Sequence, residues 1–340
     1  MHFTIVVPGL LDLPPSALDA IDAEAPALAR MLGGAAAPAI DEDGLVATAC
    51  RACGIAKQQD WPVAPWLARG AGLDTGDSYW LCADPARFAV GHNDVRLAAL
   101  VDDLDTGDAN ALVATLNAHF AGDGLVFIVS RSARWFARID REPRLVTHPP
   151  QRALGAPLLP YLPTGPDAAQ WRRWQSEMQM LLFEHVVNRR REHNARATVD
   201  GVWLWGGGTP VAHNARSVRI FAEGGLIRDL AIGTGIGSFP LPSGLEAGPG
   251  AAPSVFWLDA IGSDALATRL AALDRLWMVP AENALRSGAI RDIALVIAGC
   301  ASALTFRMER PSLLRRWRAR FSSPRVAPLL ARLSANAAGS

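Results

Sequence analysis

Apolar positions along this chain follow two spacings, one of strands and one of helices. Residues 3–7 are a short run rich in β-branched side chains, ended by Pro8 and Gly9, the pattern of a buried strand that feeds a loop. Residues 16–32 then carry helical spacing, with Ser16 placed to cap them. The small residues of 33–43 predict a connection and residues 45–55 a second helix, whereas the prolines between Trp61 and Trp66 exclude a long regular element there.

From Tyr79 the texture changes. Residues 79–83 and 95–101 read as strands, 105–120 as a helix, and 125–129 with 135–139 as a hairpin-like pair, which together predict a small α+β domain. The prolines of 143–166 predict its exit linker. Residues 167–192 are the longest helical stretch, followed by a strand at 202–205 that stops at Gly206-Gly207-Gly208. Strands at 217–221, 255–258 and 292–298 alternate with helices at 226–232 and 263–277, which predicts a mostly parallel sheet covered on both faces. That alternation ends near Ala303, and residues 310–333 carry Leu313, Leu314, Trp317 and Phe321 on one helical face with arginines elsewhere.

Composition narrows the classes. Half of the 340 residues are hydrophobic and 19% are charged, enough for a large core in two domains or in one with an insertion. Lys plus Arg equals Asp plus Glu at 33 each, so no global field recruits nucleic acid or an anionic membrane, and nucleic acid is not an expected partner. Lys57 is the only lysine. No window offers about 18 uncharged apolar residues, and the apolar start lacks a basic leader, which predicts a chain with no transmembrane segment or signal peptide. Four cysteines do not make a disulfide framework, so a reducing, cytoplasmic setting is expected.

Several segments together resemble a known family. Ile5-Val6-Val7-Pro8-Gly9-Leu10 is similar to the strand-to-loop motif of archaeal-type cofactor-independent phosphoglycerate mutases, members of the alkaline phosphatase superfamily. Residues 103–117, Phe127 and Arg134-Trp135 resemble the small inserted domain of those enzymes. A closer resemblance, over nearly the whole chain, is to bacterial RpfE-type regulatory proteins. Glu177, Gln179-Met180, His185, Asn188, Arg191-Glu192 and Trp203-Leu204-Trp205-Gly206-Gly207-Gly208 carry it. This sequence departs from that motif at Val186, where the motif has Pro, and at Asp200, where it has Asn.

The resemblance implies an α/β fold, a three-layer αβα sandwich resembling the alkaline phosphatase superfamily. It assigns residues 1–76 and 166–309 to the core, 77–165 to the inserted α+β domain and 310–340 to a helical C-terminal appendage. The enzymes hold two divalent metals with Asp and His around a Ser or Thr, and that clamp supplies much of the barrier reduction. Here Pro8-Gly9 lacks the intervening Asp, with Asp12 the nearest carboxylate; Asp259-Ala260-Ile261-Gly262 has no His; and Ala298-Gly299-Cys300-Ala301-Ser302 replaces the Asp-His after the last strand. His213 is the final histidine of the chain. No cofactor or metal is therefore expected, and the expected function is a non-catalytic or regulatory descendant that binds a small anionic ligand. The alternative is a phosphoglycerate mutase-like phosphotransferase or phosphohydrolase with a rearranged active site.

Other constellations keep more than one reading each. Cys50 and Cys53 have zinc or redox spacing, but without a second pair at a suitable interval they read as small core residues in preference to a metal or redox site. Gly206, Gly207 and Gly208 present either backbone N–H groups to an anion or a tight structural turn. His185, Asn188 and Glu192, at i, i+3 and i+7, bind a polar ligand, transfer protons, or form a buried polar network. Arg134 and Arg191 are the expected charge-assisted donors to the anion, with Glu177, His185, Asn188 and the three glycines around them. The apolar stripe after residue 310 either docks on the chain's own sheet or meets a protein partner.

Overall fold

In the computed structural model the residues described are 2–91, 94–131, 133–211, 218–245, 252–309 and 330. The first apolar run is strand β1 (His2–Pro8), followed by helices α1 (Pro15–Leu18), α2 (Ala20–Glu24) and α3 (Pro26–Gly34). The single helix expected over 16–32 is broken because Pro26 has no N–H to donate and forces Ala25 out of the helical region, to φ −131° and ψ 61°. A short strand β2 (Ala39–Asp41) interrupts the expected connection, and α4 (Gly44–Ala52) follows.

The chain then builds α5 (Val63–Gly70), β3 (Tyr79–Val90), β4 (Val95–Leu100), α6 (Thr106–Phe120), β5 (Leu125–Arg131) and β6 (Arg134–Ile139). After these come α7 (Pro150–Ala153), α8 (Ala168–Phe183), α9 (Val186–His193) and β7 (Gly201–Gly208). The prolines near Trp61 do not prevent α5, because Pro65 lies in its first turn, where a missing N–H costs nothing. The last stretch holds β8 (Arg219–Phe221), α10 (Gly225–Thr234), β9 (Ser238–Phe239) and β10 (Ser254–Trp257). It ends with α11 (Leu266–Leu273), a π turn (Asp274–Met278), α12 (Val279–Ser287), β11 (Asp292–Ala298) and β12 (Ala303–Glu309).

These elements form two compact units, Met1–Cys53 with Ala215–Ser340, and Gly54–Asn214. The insert expected over 77–165 lies inside the second unit, which also takes in 54–76 and 166–214.

The first unit is a mixed α/β unit on a seven-stranded sheet of order β2-β12-β11-β1-β10-β8-β9. The strands from β11 to β9 run parallel, with Ile5 opposite both Leu295 and Phe256. The sheet continues past residue 303, since β12 adds antiparallel to β11 and carries β2 on its far edge. Phe3, Ile5 and Val7 alternate onto one face, where they share a core with Leu28 of α3, Leu270 of α11 and Leu285 of α12. On the other face α4 lies against β11 and β12 and touches α10, so helices cover both faces. Asp274 of the π turn is buried, and its carboxylate accepts from the N–H groups of Ala27 (3.2 Å) and Leu28 (2.8 Å). That carboxylate supplies the cap that Ala25 cannot, at the positive end of α3. The helical appendage expected over 310–340 lies outside the described residues, apart from Leu330, which is buried in this core.

The second unit is built on a wholly antiparallel sheet, order β4-β3-β6-β5, with β7 along the other side of β3. The strand ending in the three glycines was expected in the parallel sheet and instead pairs with β3, Leu204 facing Ala83. Tyr79, Leu81 and Ala83 point to one face and pack with Leu112 and Leu116 of α6 and Trp171, Trp174 and Met178 of α8. On the other face α5 covers β3 and β7, and Trp66 and Trp80 are each 1% exposed. The proline-rich 143–166 is not a free linker: Val146 and Thr164 exchange backbone hydrogen bonds, and Gly155 and Leu158 donate to Leu97 and Val95 of β4. No helix among the described residues is long and apolar enough to cross a membrane.

Candidate functional site

A parallel α/β sheet takes ligands beyond the carboxyl ends of its strands, where the strand order reverses. In the first unit those ends are the loops after β1, β10 and β11, and main chain meets main chain across them. Gly9 N–H donates to Ala298 O at 2.7 Å and Ile261 N–H to Pro8 O at 2.9 Å. Gly9 adopts φ +83°, and a Cβ there would lie 2.6 Å from Ile261 O. The start of α4 closes the third loop: Leu45 N–H donates to Gly299 O at 2.9 Å, and a Cβ on Gly44 would lie 2.6 Å from Cys300 O. Asp12 spends an oxygen on the Cys300 N–H, at 2.8 Å. Asp259 is exposed, Ser302 is buried, and Asp41 pairs with Arg51 on the far edge. Among the described residues no three His, Cys, Asp or Glu side chains gather as a metal centre requires. Cys50 and Cys53 are buried at the end of α4, and burial pushes the Cys53 thiol up to about 12.

In the second unit the helix expected over 167–192 breaks at His185, which is extended (φ −64°, ψ 139°). His185 is the N-cap of α9 rather than part of a helical stripe: its Nδ1 accepts from the Val187 N–H at 3.2 Å. Val186, where the resemblance expects proline, is the first residue of α9, a position that suits proline. Because Nδ1 accepts, the neutral ring carries its proton on Nε2 and donates it to Thr115 Oγ1 at 3.1 Å, and Thr115 donates onward to Ala111 O. His185 therefore cannot take the Thr115 proton as a general base. Burial, with Arg189 beside it, holds the imidazole below the usual histidine range against the opposing pull of Asp108.

Asn188 and Arg191 are anchors. Asn188 Nδ2 donates to Leu182 O (2.7 Å) and Val199 O (2.8 Å), and its Oδ1 accepts from Val199 N–H (2.9 Å). Arg191, 2% exposed, donates from Nε to Ala197 O at 2.6 Å and from Nη2 to the Asp103 carboxylate. Glu192 is exposed, away from the buried Asn188. Glu177 sits on the surface of α8 with His119 at 3.1 Å and Arg173 at 3.3 Å.

The glycines are packed strand, not an open loop. Gly206 (φ +66°) donates its N–H to Thr147 Oγ1 at 3.0 Å, and Cβ atoms on Gly207 and Gly208 would lie 2.2 Å from the Tyr79 hydroxyl and 2.3 Å from Pro62 Cβ. Beneath them the buried Asp60 accepts from Trp61 N–H (2.8 Å), Thr147 N–H (3.1 Å) and the Thr147 hydroxyl. Burial raises its carboxyl above the usual range in spite of these bonds. Asp84, in the middle of β3, accepts from Trp205 Nε1 at 2.6 Å; burial raises it too, opposed by that bond and by Arg134. Sequence patterns passed over both acids, although a lone carboxylate inside the apolar run Tyr79–Val90 was a visible signal.

Arg134 is the exception among the candidates: no hydrogen bond from its guanidinium is found among the described residues, and its charge opposes the burial that raises Asp84 and Cys82. Register places it on the face of Cys82 and Asp84, with Arg138 four residues along on that face.

No family model matches the sequence, and no curated protein matches it. Among solved structures the chain is similar to a cofactor-independent phosphoglycerate mutase from Thermoplasma acidophilum DSM 1728, with TM-score 0.45, 16% identity, and 98% of this chain and 99% of that chain covered. It is also similar to the PH0037 protein from Pyrococcus horikoshii, with TM-score 0.49, 11% identity, and 98% of this chain and 97% of that chain covered.

Proposed function

We propose that this chain is a non-catalytic, regulatory protein of the RpfE type, descended from cofactor-independent phosphoglycerate mutases and working in the cytoplasm, which binds a small anion through Arg134. The observation that carries the non-catalytic reading is the closure of the sheet's carboxyl edge. The loops after β1, β10 and β11 are bonded to one another, and Asp12, the nearest carboxylate to the expected metal position, is committed to the Cys300 N–H. Two-metal phosphoryl transfer needs several hard ligands converging at once. Asp12 and Asp259 do stand exposed at that edge, which is what the alternative, a rearranged phosphotransferase or phosphohydrolase, would have to use.

The anion reading rests on Arg134. Burial raises the neighbouring Asp84 carboxyl above its usual range against the pull of Arg134, and Arg138 lies on the same face as a second cation. A planar guanidinium whose donors meet no partner among the described residues suits a carboxylate or phosphate. Purified protein with manganese or magnesium is expected to show no turnover of 3-phosphoglycerate; metal-dependent turnover lost on chelation would establish the enzymatic alternative. Calorimetric titration with 3-phosphoglycerate and with inorganic phosphate should show binding that Arg134→Met weakens about tenfold, the loss of one charge-assisted contact. Equal affinity in the variant would remove Arg134 from the site.

A further inference from the structure

Thr115 and Val187 together fix the protonation state that His185 must hold. Its Nδ1 is an acceptor for a backbone N–H and its Nε2 faces a hydroxyl that already donates elsewhere, so only the neutral ring with the proton on Nε2 satisfies both contacts. Adding a proton at Nδ1 would turn two donors toward each other and place a cation at the positive end of α9. We propose that His185 is an acid-released latch: neutral, it caps α9 and holds the α8–α9 elbow closed, and protonated, it lets the first turn of α9 open.

Burial of the ring, and after it the charges nearby, set the release point. From α6 come Asp108 and the Thr115 hydroxyl; from α9 come Arg189 and Arg190, the latter paired with Asp108; Glu184, exposed at the end of α8, precedes the ring in the chain. His119, one turn along α6 from Thr115, is engaged by Glu177. The elbow also bears the exposed side chains of Phe183 (79%) and Val186 (59%), so its opening shifts an apolar surface. Asn188 and Arg191 tie α9 to residues 197–199 and to Asp103, which limits the motion to the helix's first turn. The sign is that of a depressed imidazole: the cap is fully present above the ordinary histidine range and is lost as pH falls through the lower folded value.

The test follows the His185 ring and the Val187 amide by NMR on the full chain between pH 7.5 and 5, with amide exchange expressed as protection relative to an unstructured chain. Protection at Val187 should fall about fivefold as the His185 ring titrates, the equivalent of one helix cap. It should stay level in His185→Asn, which caps without titrating. Arg189→Gln, at an exposed position, should move the midpoint to higher pH. Equal pH dependence in the wild type and His185→Asn, titration of the ring without change at Val187, or an unmoved midpoint in Arg189→Gln would each overturn the latch.

Discussion

Asn188→Ala is expected to destabilise the second unit by about 3 kcal/mol, because it strands the buried N–H and C=O of Val199, each costing roughly 1–3 kcal/mol, whereas Leu182 O keeps the His185 N–H. The three bonds of Asn188 connect the end of α8, the body of α9 and the chain entering β7, and the residue is 3% exposed. Water cannot replace what the amide supplied. Glu177→Ala, which removes contacts on the surface of α8, should cost less than about 1 kcal/mol, since exposed ion pairs contribute little. Denaturant unfolding of both variants separates two residues that look equally polar in the sequence. If Asn188→Ala unfolded at the wild-type denaturant concentration, the anchor would be dispensable and Asn188 would return to the pool of ligand contacts.

The second large effect is on the pH dependence of stability. Asp60 and Asp84 both have folded-state values raised by burial above 3.8. A carboxyl that binds its proton more tightly when folded contributes stability below the unfolded value and loses that contribution as pH rises through the folded one. Stability should therefore decline upward from about pH 4, unlike that of a protein dominated by surface-paired carboxylates. His148 and His185, both held down chiefly by burial, act in the opposite sense and lower stability as pH falls below the histidine range. Asp84→Asn keeps an oxygen for the Trp205 indole and cannot ionise, so it should remove part of the alkaline decline. Thermal unfolding from pH 4 to 8 measures it, and a decline as steep in the variant as in the wild type would mean that Asp84 stays ionised at no cost.

Elements whose spacing is local are legible in the amino-acid order. Strand β1, ended by Pro8-Gly9, follows from a β-branched run and two residues that stop it. Helix α6 and the β5–β6 hairpin follow from uninterrupted periodicity, and the mixed α/β class from the alternation of strands and helices. Tertiary structure decided what periodicity cannot encode. Strand β7 reads as a buried strand in any sheet, and only its antiparallel pairing with β3 placed it in the second unit. The proline-rich 143–166 looks like a linker because its own side chains do not show that its backbone completes the edge of β4. The same limit governs the site. His185, Asn188 and Glu192 were legible as a polar cluster on a helix and Arg191 as a donor to an anion, but a hydrogen-bonding side chain serves a ligand or a backbone group with the same atoms. The choice was made by distant partners, Thr115, Val199 and Asp103, brought near by folding. For Arg134 too the sequence is silent about partners: register alone sets it on the face of Asp84, whose carboxyl burial raises above its usual range.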